Sequence, residues 1–322
     1  MIPKKEDLTI GFAHVAYQLG PQFAKRDRGI RHFQVWNLDD LRARIGEVDV
    51  LVVSGLWRND LIEHAKKLRF IQVCAAGNDQ FGRDLLKARG IRLASGSGVN
   101  ARAVSDHAMS LILALTRKLP EARDNQTRHV WRGMISDLTQ REDELAGKTL
   151  FVIGTGNIGD RLSRLAKAFE MQVVGFRRNP SAGKGHADAV HSIAELKGML
   201  PQADVVALCC PLTDETRNLI DAEAFARMKP TAYLINVARG PCVAEAALIE
   251  ALTKGQIAGA GIDVTAEEPL PAASALWDAP NVLITPHTAG ETRKYEDNVL
   301  DILEDNLDRL WRGETTLHNQ IV

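Results

Sequence analysis

Three short motifs in the second half of this 322-residue sequence carry the side chains best suited to shared chemistry. Ile235-Asn236-Val237-Ala238-Arg239-Gly240-Pro241 sets an arginine at the end of a strand-like run. Gly261-Ile262-Asp263-Val264-Thr265-Ala266-Glu267-Glu268-Pro269-Leu270 sets carboxylates there, and Leu283-Ile284-Thr285-Pro286-His287-Thr288-Ala289-Gly290 sets a histidine. An arginine, a carboxylate and a histidine on one sheet edge suit reduction of the carbonyl of a 2-keto acid. The planar guanidinium can hold a carboxylate through two hydrogen bonds and polarise the carbonyl beside it. The imidazole can give the proton that a new alkoxide needs. A nearby glutamate favours the protonated imidazole and fixes the ring. The hydride has to come from a cofactor.

Each residue alone also has a plainer reading. His287, in a Pro-His-Thr turn, serves equally well as a capping or packing residue, and none of the other histidines has a comparable setting. Arg239 fits a surface ion pair, which is worth little. Glu267 and Glu268 side by side are by default a solvated acidic turn, with Pro269 holding Glu268 extended. The joint pattern carries the reading.

The elements that must position these groups begin at Lys148–Gly159, KTLFVIGTGNIG. A strand-like run, Thr149–Ile153, leads into Gly154, Gly156 and Gly159 at G-x-G-x-x-G spacing. A helical pattern follows, with Leu162, Leu165, Ala166 and Phe169 at steps of three and four. Strand, glycine turn and helix are the order of a dinucleotide-binding unit. The first glycine permits the turn, the second lets a pyrophosphate approach, and the third lets helix pack on strand. The free amides and dipole of the helix start then face the phosphates. Further strands are expected at Gln172–Phe176, Asp204–Cys210, Ala232–Asn236, Ile257–Ile262 and Asn281–Thr285, with helices at Ser192–Leu200, Ala222–Met228 and Glu245–Leu252.

The first hundred or so residues show the same alternation without a glycine motif. Leu8–Ala13, Asp49–Val53, Phe70–Cys74 and Ile91–Ala94 read as strands; Leu38–Ile45, Asn59–Leu68 and Arg83–Arg89 read as helices. That rhythm implies a parallel sheet. Its turns Ser54-Gly55 and Ala75-Ala76-Gly77-Asn78 follow strands, where ligands bind in such sheets. Ser95-Gly96-Ser97-Gly98 reads as a flexible linker before a long apolar helix, Ala101–Leu115. Glu121–Asp143 is polar and holds Trp131, and reads as a loop packing on a partner subunit or as a surface loop with one anchor. The last helix, Glu291–Trp311, has no strand after it and is expected to cross back to the first domain.

Two domains suit this length. Hydrophobic residues make up 45% and charged residues 25%, as in a globular protein. A net charge of −1 argues against nucleic acid or an anionic membrane as main partner. No apolar run reaches the roughly 18–20 residues of a membrane span. The start, MIPKKEDLTI, turns polar where a signal peptide needs its apolar core, so a cytoplasmic protein is expected. Cys74, Cys209, Cys210 and Cys242 lack metal-ligand spacing and read as buried reduced thiols, with no metal site.

The segments LAGKTLFVIGTGNIG, ADVVALCCPLTDETRNLI, MKPTAYLINVARGPCV, AGIDVTAEEPLP and NVLITPHTAG resemble the D-2-hydroxyacid dehydrogenase family, which includes glyoxylate/hydroxypyruvate reductases, D-lactate dehydrogenases and phosphoglycerate dehydrogenases. The spacing of Arg239, Glu268 and His287 fits that family's triad. The resemblance implies two doubly wound parallel-sheet α/β domains with a cleft between them. One is a flavodoxin-like substrate domain of residues 1–100 and 290–322; the other is a Rossmann cofactor domain of residues 101–289. Arg239 would bind the substrate carboxylate and carbonyl, His287 would be the general acid–base, and Glu268 would pair with it. Gly154, Gly156, Gly159 and the amides of Asn157 and Ile158 would meet the pyrophosphate. Cys210 would lie along the cofactor. Asp263, with the backbone of Val237, Ala238 and Arg239, would hold the nicotinamide end, near His287 and Gly290. Ala76 and Gly77 resemble the loop that grips the substrate carboxylate, with Ala75 and Asn78 departing from the usual residues there. Trp57 and Arg58 are candidates for side-chain selectivity, and equally surface residues. The family's dimers form through the cofactor domain, which would bring Trp131 near the neighbouring subunit's site.

One departure bears on the cofactor. About twenty residues past the glycine turn, an NAD-preferring unit has an acidic residue for the ribose 2′-hydroxyl. Here Val173-Val174-Gly175-Phe176 runs into Arg177-Arg178-Asn179-Pro180. Guanidinium groups suit a 2′-phosphate, so NADP(H) is expected over NAD(H). The implied activity is that of an oxidoreductase passing hydride from NADPH to a small 2-keto acid to give the D-2-hydroxy acid. The alternative is a dinucleotide-sensing binding protein of the corepressor type on the same fold.

Overall fold

The computed structural model describes residues 2–322, which form two compact units. One comprises the chain up to Asn100 together with Glu291–Val322; the other comprises Ala101–Gly290.

The first unit holds a five-stranded parallel sheet of β1 (Thr9–Ala13), β2 (Arg31–Val35), β3 (Val50–Val53), β4 (Phe70–Val73) and β5 (Arg92–Ala94), in the order β2-β1-β3-β4-β5. This is the flavodoxin-type order. Side-chain alternation splits its core between two faces. Ile10, Phe12, Val50 and Val52 pack with Val299, Leu300, Leu303 and Leu307 of the final helix, Tyr295–Trp311. Leu51, Val53, Ile71 and Val73 pack with Leu41, Leu61 and Leu86 on the other.

The Ser95–Gly98 stretch is a packed segment, not the flexible linker its small residues suggest. The Ser95 amide donates to the Asn319 carbonyl and the Asn319 side chain to the Ser97 carbonyl. A Cβ on Gly96 would lie 2.6 Å from the Cys74 carbonyl oxygen. The tail is held in turn by buried Asn306, which donates to Gln72 and to the His318 carbonyl. Trp57 is likewise a core residue and not a selectivity group. It is 1% exposed, stacks on Phe81 and donates to Asn59. Arg58 folds back onto the carbonyls of Gly55 and Trp57.

The second unit holds seven parallel strands: β6 (Thr149–Ile153), β7 (Gln172–Arg177), β8 (Ala189–Ser192), β9 (Val205–Leu208), β10 (Tyr233–Asn236), β11 (Gly259–Ile262) and β12 (Val282–Ile284). Their order is β12-β11-β10-β9-β6-β7-β8. The chain reverses direction across the sheet between β6 and β9, the position where ligands bind in open α/β sheets. Phe151, Ile153, Val206, Leu208 and Leu234 fill one face, and Leu150, Val152, Val205, Ala207 and Ile235 the other. Helices Ala101–Thr116 and Asn157–Ala168 cover the second face through Ala108, Leu111, Leu162 and Ala166.

The polar segment after this long helix is partly helical. Lys118 takes a left-handed conformation, and a new helix, Leu119–Thr127, begins with Pro120 in its first turn, where a missing amide costs nothing. No helix of the described residues is long and apolar enough to cross a membrane.

Candidate active site

Parallel register puts the carboxyl ends of β12, β11, β10, β9 and β6 side by side along one edge. His287 follows β12, Asp263 and Glu268 follow β11, Arg239 follows β10, Cys210 follows β9 and the glycine turn follows β6. Residues far apart in sequence thus share one rim.

The histidine and one glutamate meet directly. His287 Nδ1 lies 2.7 Å from Glu268 Oε2, and both side chains are exposed to solvent at the rim. With Nδ1 engaged, Nε2 is the nitrogen left to face a substrate. Glu268 is held by the Thr265 amide, which donates to its Oε1 at 3.1 Å. The neighbouring Glu267 turns its carbonyl to the Thr265 hydroxyl and takes no part in the pair. The two acids therefore have different jobs despite their adjacency.

Arg239 is exposed, with Nη1 on the Ala238 carbonyl at 2.7 Å. Among the described residues it forms no ion pair, so its guanidinium is available to an anion. The Val237 and Ala238 amides are committed to the Leu208 carbonyl and the Asn236 side chain. A ligand at this turn would address their carbonyls.

Asp263 is 3% exposed. Its carboxylate accepts from the Thr285 hydroxyl at 2.6 Å and from the amides of Thr288 and Ala289 at 3.0 and 3.1 Å. Its carbonyl accepts the His287 amide at 2.8 Å. Asp263 therefore braces the turn that carries His287 and leads to Gly290. His107, on the long helix, joins this network with Nε2 at 2.9 Å from the Thr285 hydroxyl. The sequence around His107 carries no signal of this contact, because nothing in a helical heptad shows what lies across the sheet edge. A cavity of about 470 Å³ beside the pair is lined by Asp263, Glu268, Leu270, Trp277, Thr285 and His287, among others.

The glycine turn fits a dinucleotide. Gly154 has φ +94°, and a Cβ there would lie 2.7 Å from the Cys210 backbone, which explains the close passage of these two segments. A Cβ on Gly159 would collide with the Gly154 carbonyl oxygen at 2.0 Å. A Cβ on Gly156 would meet nothing within 4 Å, so its outer side is open. Helix Asn157–Ala168 starts at Gly156 with no side-chain cap, leaving the amides of Asn157 and Ile158 without a capping partner. The Thr155 hydroxyl is buried and unpartnered. A buried polar atom without a partner is costly, and a ligand oxygen would supply one.

Gly154, Gly156, Arg177, Arg178, Cys210 and Glu215 line a cavity of about 350 Å³ with Thr155. Arg177 reaches the Gly183 carbonyl, and Arg178 pairs with Glu215 at 3.1 Å. Thr155 and Glu215 carry no sequence signal of their own. Cys210 is buried beside Cys242, and a hydrogen bond between the two thiols followed by burial pushes the Cys210 thiol up, which keeps it protonated. In the first unit, Ala76 and Gly77 lie past the end of β4, where Asn78 bridges the Ala76 carbonyl and Arg83.

Known proteins resemble this chain in sequence and in fold. Residues 109–289 match the family model for the NAD binding domain of D-isomer specific 2-hydroxyacid dehydrogenases. Glyoxylate/hydroxypyruvate reductase B of Pectobacterium carotovorum is 34% identical over 296 residues, covering 90% of this chain and 92% of that protein. Glycerate dehydrogenase of Methylorubrum extorquens is 32% identical, covering 87% and 88%. The crystal structure of a D-isomer specific 2-hydroxyacid dehydrogenase family protein from Aeromonas salmonicida superposes with a TM-score of 0.84 at 31% identity, covering 98% of this chain and 99% of that one. With two doubly wound sheets, a dinucleotide turn after β6 and relatives aligned over nearly its whole length, the chain belongs to the D-isomer specific 2-hydroxyacid dehydrogenase family of oxidoreductases.

Proposed function

We propose that the protein reduces a small 2-keto acid to the D-2-hydroxy acid, with NADPH preferred over NADH, and that glyoxylate and hydroxypyruvate are within its range. The 2.7 Å contact of His287 with Glu268 carries this reading, because it leaves Nε2 of a carboxylate-oriented imidazole at the rim. The bound nicotinamide supplies the hydride. Arg239 holds the substrate carboxylate and polarises its carbonyl. His287, oriented by Glu268, gives the proton to the oxygen as hydride arrives at carbon. The amides of Asn157 and Ile158 would hold the pyrophosphate, and Val237, Ala238 and Asp263 would hold the nicotinamide end.

The cofactor preference is supported by the Arg177–Arg178 pair lining a cavity at the end of β7. The glyoxylate/hydroxypyruvate reductase among the relatives supports the substrate class. Steady-state rates for a panel of 2-keto acids with each cofactor test both points. NADPH should give the higher kcat/KM, and Arg177→Ala/Arg178→Ala should erase the difference. A clear NADH preference in the wild type would remove the cofactor claim, and no turnover with any 2-keto acid would remove the activity.

A further inference from the structure

Asp263 is almost fully buried, and an ionised carboxylate in that position needs compensation. Its nearest donors are the Thr285 hydroxyl and the amides of Thr288 and Ala289, none of which carries charge. Among the described residues, the one basic side chain within ion-pair distance is His107, with Nε2 at 3.7 Å from Oδ1. The same nitrogen is 2.9 Å from the Thr285 hydroxyl oxygen.

The direction of these bonds follows from donor supply. A carboxylate only accepts, so Thr285 gives Asp263 its single hydroxyl proton across 2.6 Å. The Thr285 oxygen must then accept from His107, which places a hydrogen on Nε2. A one-way chain therefore runs from the long helix through Thr285 to Asp263. There the carboxylate also accepts from the backbone amides just past His287. That residue sits at φ +54°, a conformation that costs energy for any side chain bearing a Cβ and persists only when its surroundings hold it. The His287 amide is itself tied to the Asp263 carbonyl at 2.8 Å.

We infer that His107 is a positioning residue for His287: it orients the Thr285 hydroxyl, which aligns the Asp263 carboxylate, which clamps the turn presenting the imidazole. This inference rests on the reading of His287 as the acid–base group. Without a donor at position 107 the Thr285 hydroxyl can rotate away, and the clamp on Thr288 and Ala289 loosens.

The test compares His107→Phe, His107→Gln, Thr285→Val and His287→Ala in the full chain. The readouts are kcat, KM for both substrates, and amide hydrogen exchange at Thr288 and Ala289. Glutamine can place an amide N–H where the imidazole Nε2–H lies; phenylalanine fills the space without a donor. His107→Phe and Thr285→Val should each lower kcat about tenfold and speed exchange of the two amides about tenfold, with little change in KM, while His107→Gln should return both to within about threefold of wild type. If His107→Phe does not fold, the contrast of Thr285→Val with His107→Gln decides. Wild-type kcat and exchange in the donor-less variants, beside an inactive His287→Ala, would overturn the inference alone. So would a glutamine variant as impaired as the phenylalanine one. An active His287→Ala would overturn the acid–base reading instead, while faster exchange in His107→Phe would still support the clamp.

Discussion

At the scale of single residues, the site depends on which polar atoms are already engaged and which are not. Glu268 and His287 satisfy each other, Asp263 is used up by the turn it holds, and Arg239, with one nitrogen on the Ala238 carbonyl, forms no ion pair among the described residues. Arg239→Lys is therefore not a conservative change. A single ammonium cannot reproduce the two parallel hydrogen bonds of the fork. Losing both charge-assisted bonds in Arg239→Ala should cost about 2–4 kcal/mol of transition-state stabilisation, roughly 30- to 1,000-fold in kcat/KM. Arg239→Lys should fall between that and wild type. Steady-state kinetics with a 2-keto acid checks both, and an arginine-to-alanine variant with unchanged kcat/KM would exclude the assigned role.

At the scale of elements, the glycine turn separates folding from binding. A methyl on Gly156 points into open space, whereas one on Gly159 strikes the Gly154 carbonyl. Gly156→Ala should keep the thermal midpoint of wild type and raise the KM for the dinucleotide about tenfold or more; Gly159→Ala should lose several kcal/mol of stability by overpacking. Thermal denaturation beside cofactor titration distinguishes them.

The start of β6 has its own support in Asp204, which accepts the Thr149 amide at 2.8 Å and Lys229 Nζ at 2.7 Å. Burial pushes its carboxyl up, but the bonds from Lys229 and Thr149 outweigh that and hold it below the usual value. Its stabilisation is therefore present above the unfolded-state pKa and lost as pH falls through the lower folded one. Asp204→Ala should cost about 2 kcal/mol near neutral pH, and the gap to wild type should narrow progressively as pH falls below about 4. Denaturant curves at the two pH values measure it.

Legibility also differed by element. The strands with unbroken apolar runs were visible in sequence, because both sheet faces are covered. β2 (Arg-His-Phe-Gln-Val) and β8 (Ala-Val-His-Ser) were not, since polar residues interrupt each of these half-buried edge strands, whereas the edge strand β12 keeps an unbroken apolar run. Of the candidate site, the residues bound to a local motif stand out in the sequence: Arg239, Glu268, His287 and the glycines. His107, Thr155 and Glu215 do not, because their partners come from other elements.

At the scale of the whole molecule, the segment after the long helix leaves Val130, Trp131, Met134 and Leu138 exposed, Trp131 at 99%. So much apolar surface in one stretch favours contact with another protein surface. A second copy of the chain is the proposed cover. Sedimentation should give twice the 35.4 kDa chain mass, and Trp131→Ser/Met134→Ser should shift it towards the monomer. A wild-type protein sedimenting as a monomer at micromolar concentration would exclude this. The central claim, reduction of a 2-keto acid with His287 as proton donor, is tested most directly by kcat/KM for NADPH-dependent reduction of hydroxypyruvate in wild type and His287→Ala. Loss of a positioned acid–base group should lower it roughly 10²–10⁴-fold. A His287→Ala enzyme within a few-fold of wild type would contradict the account.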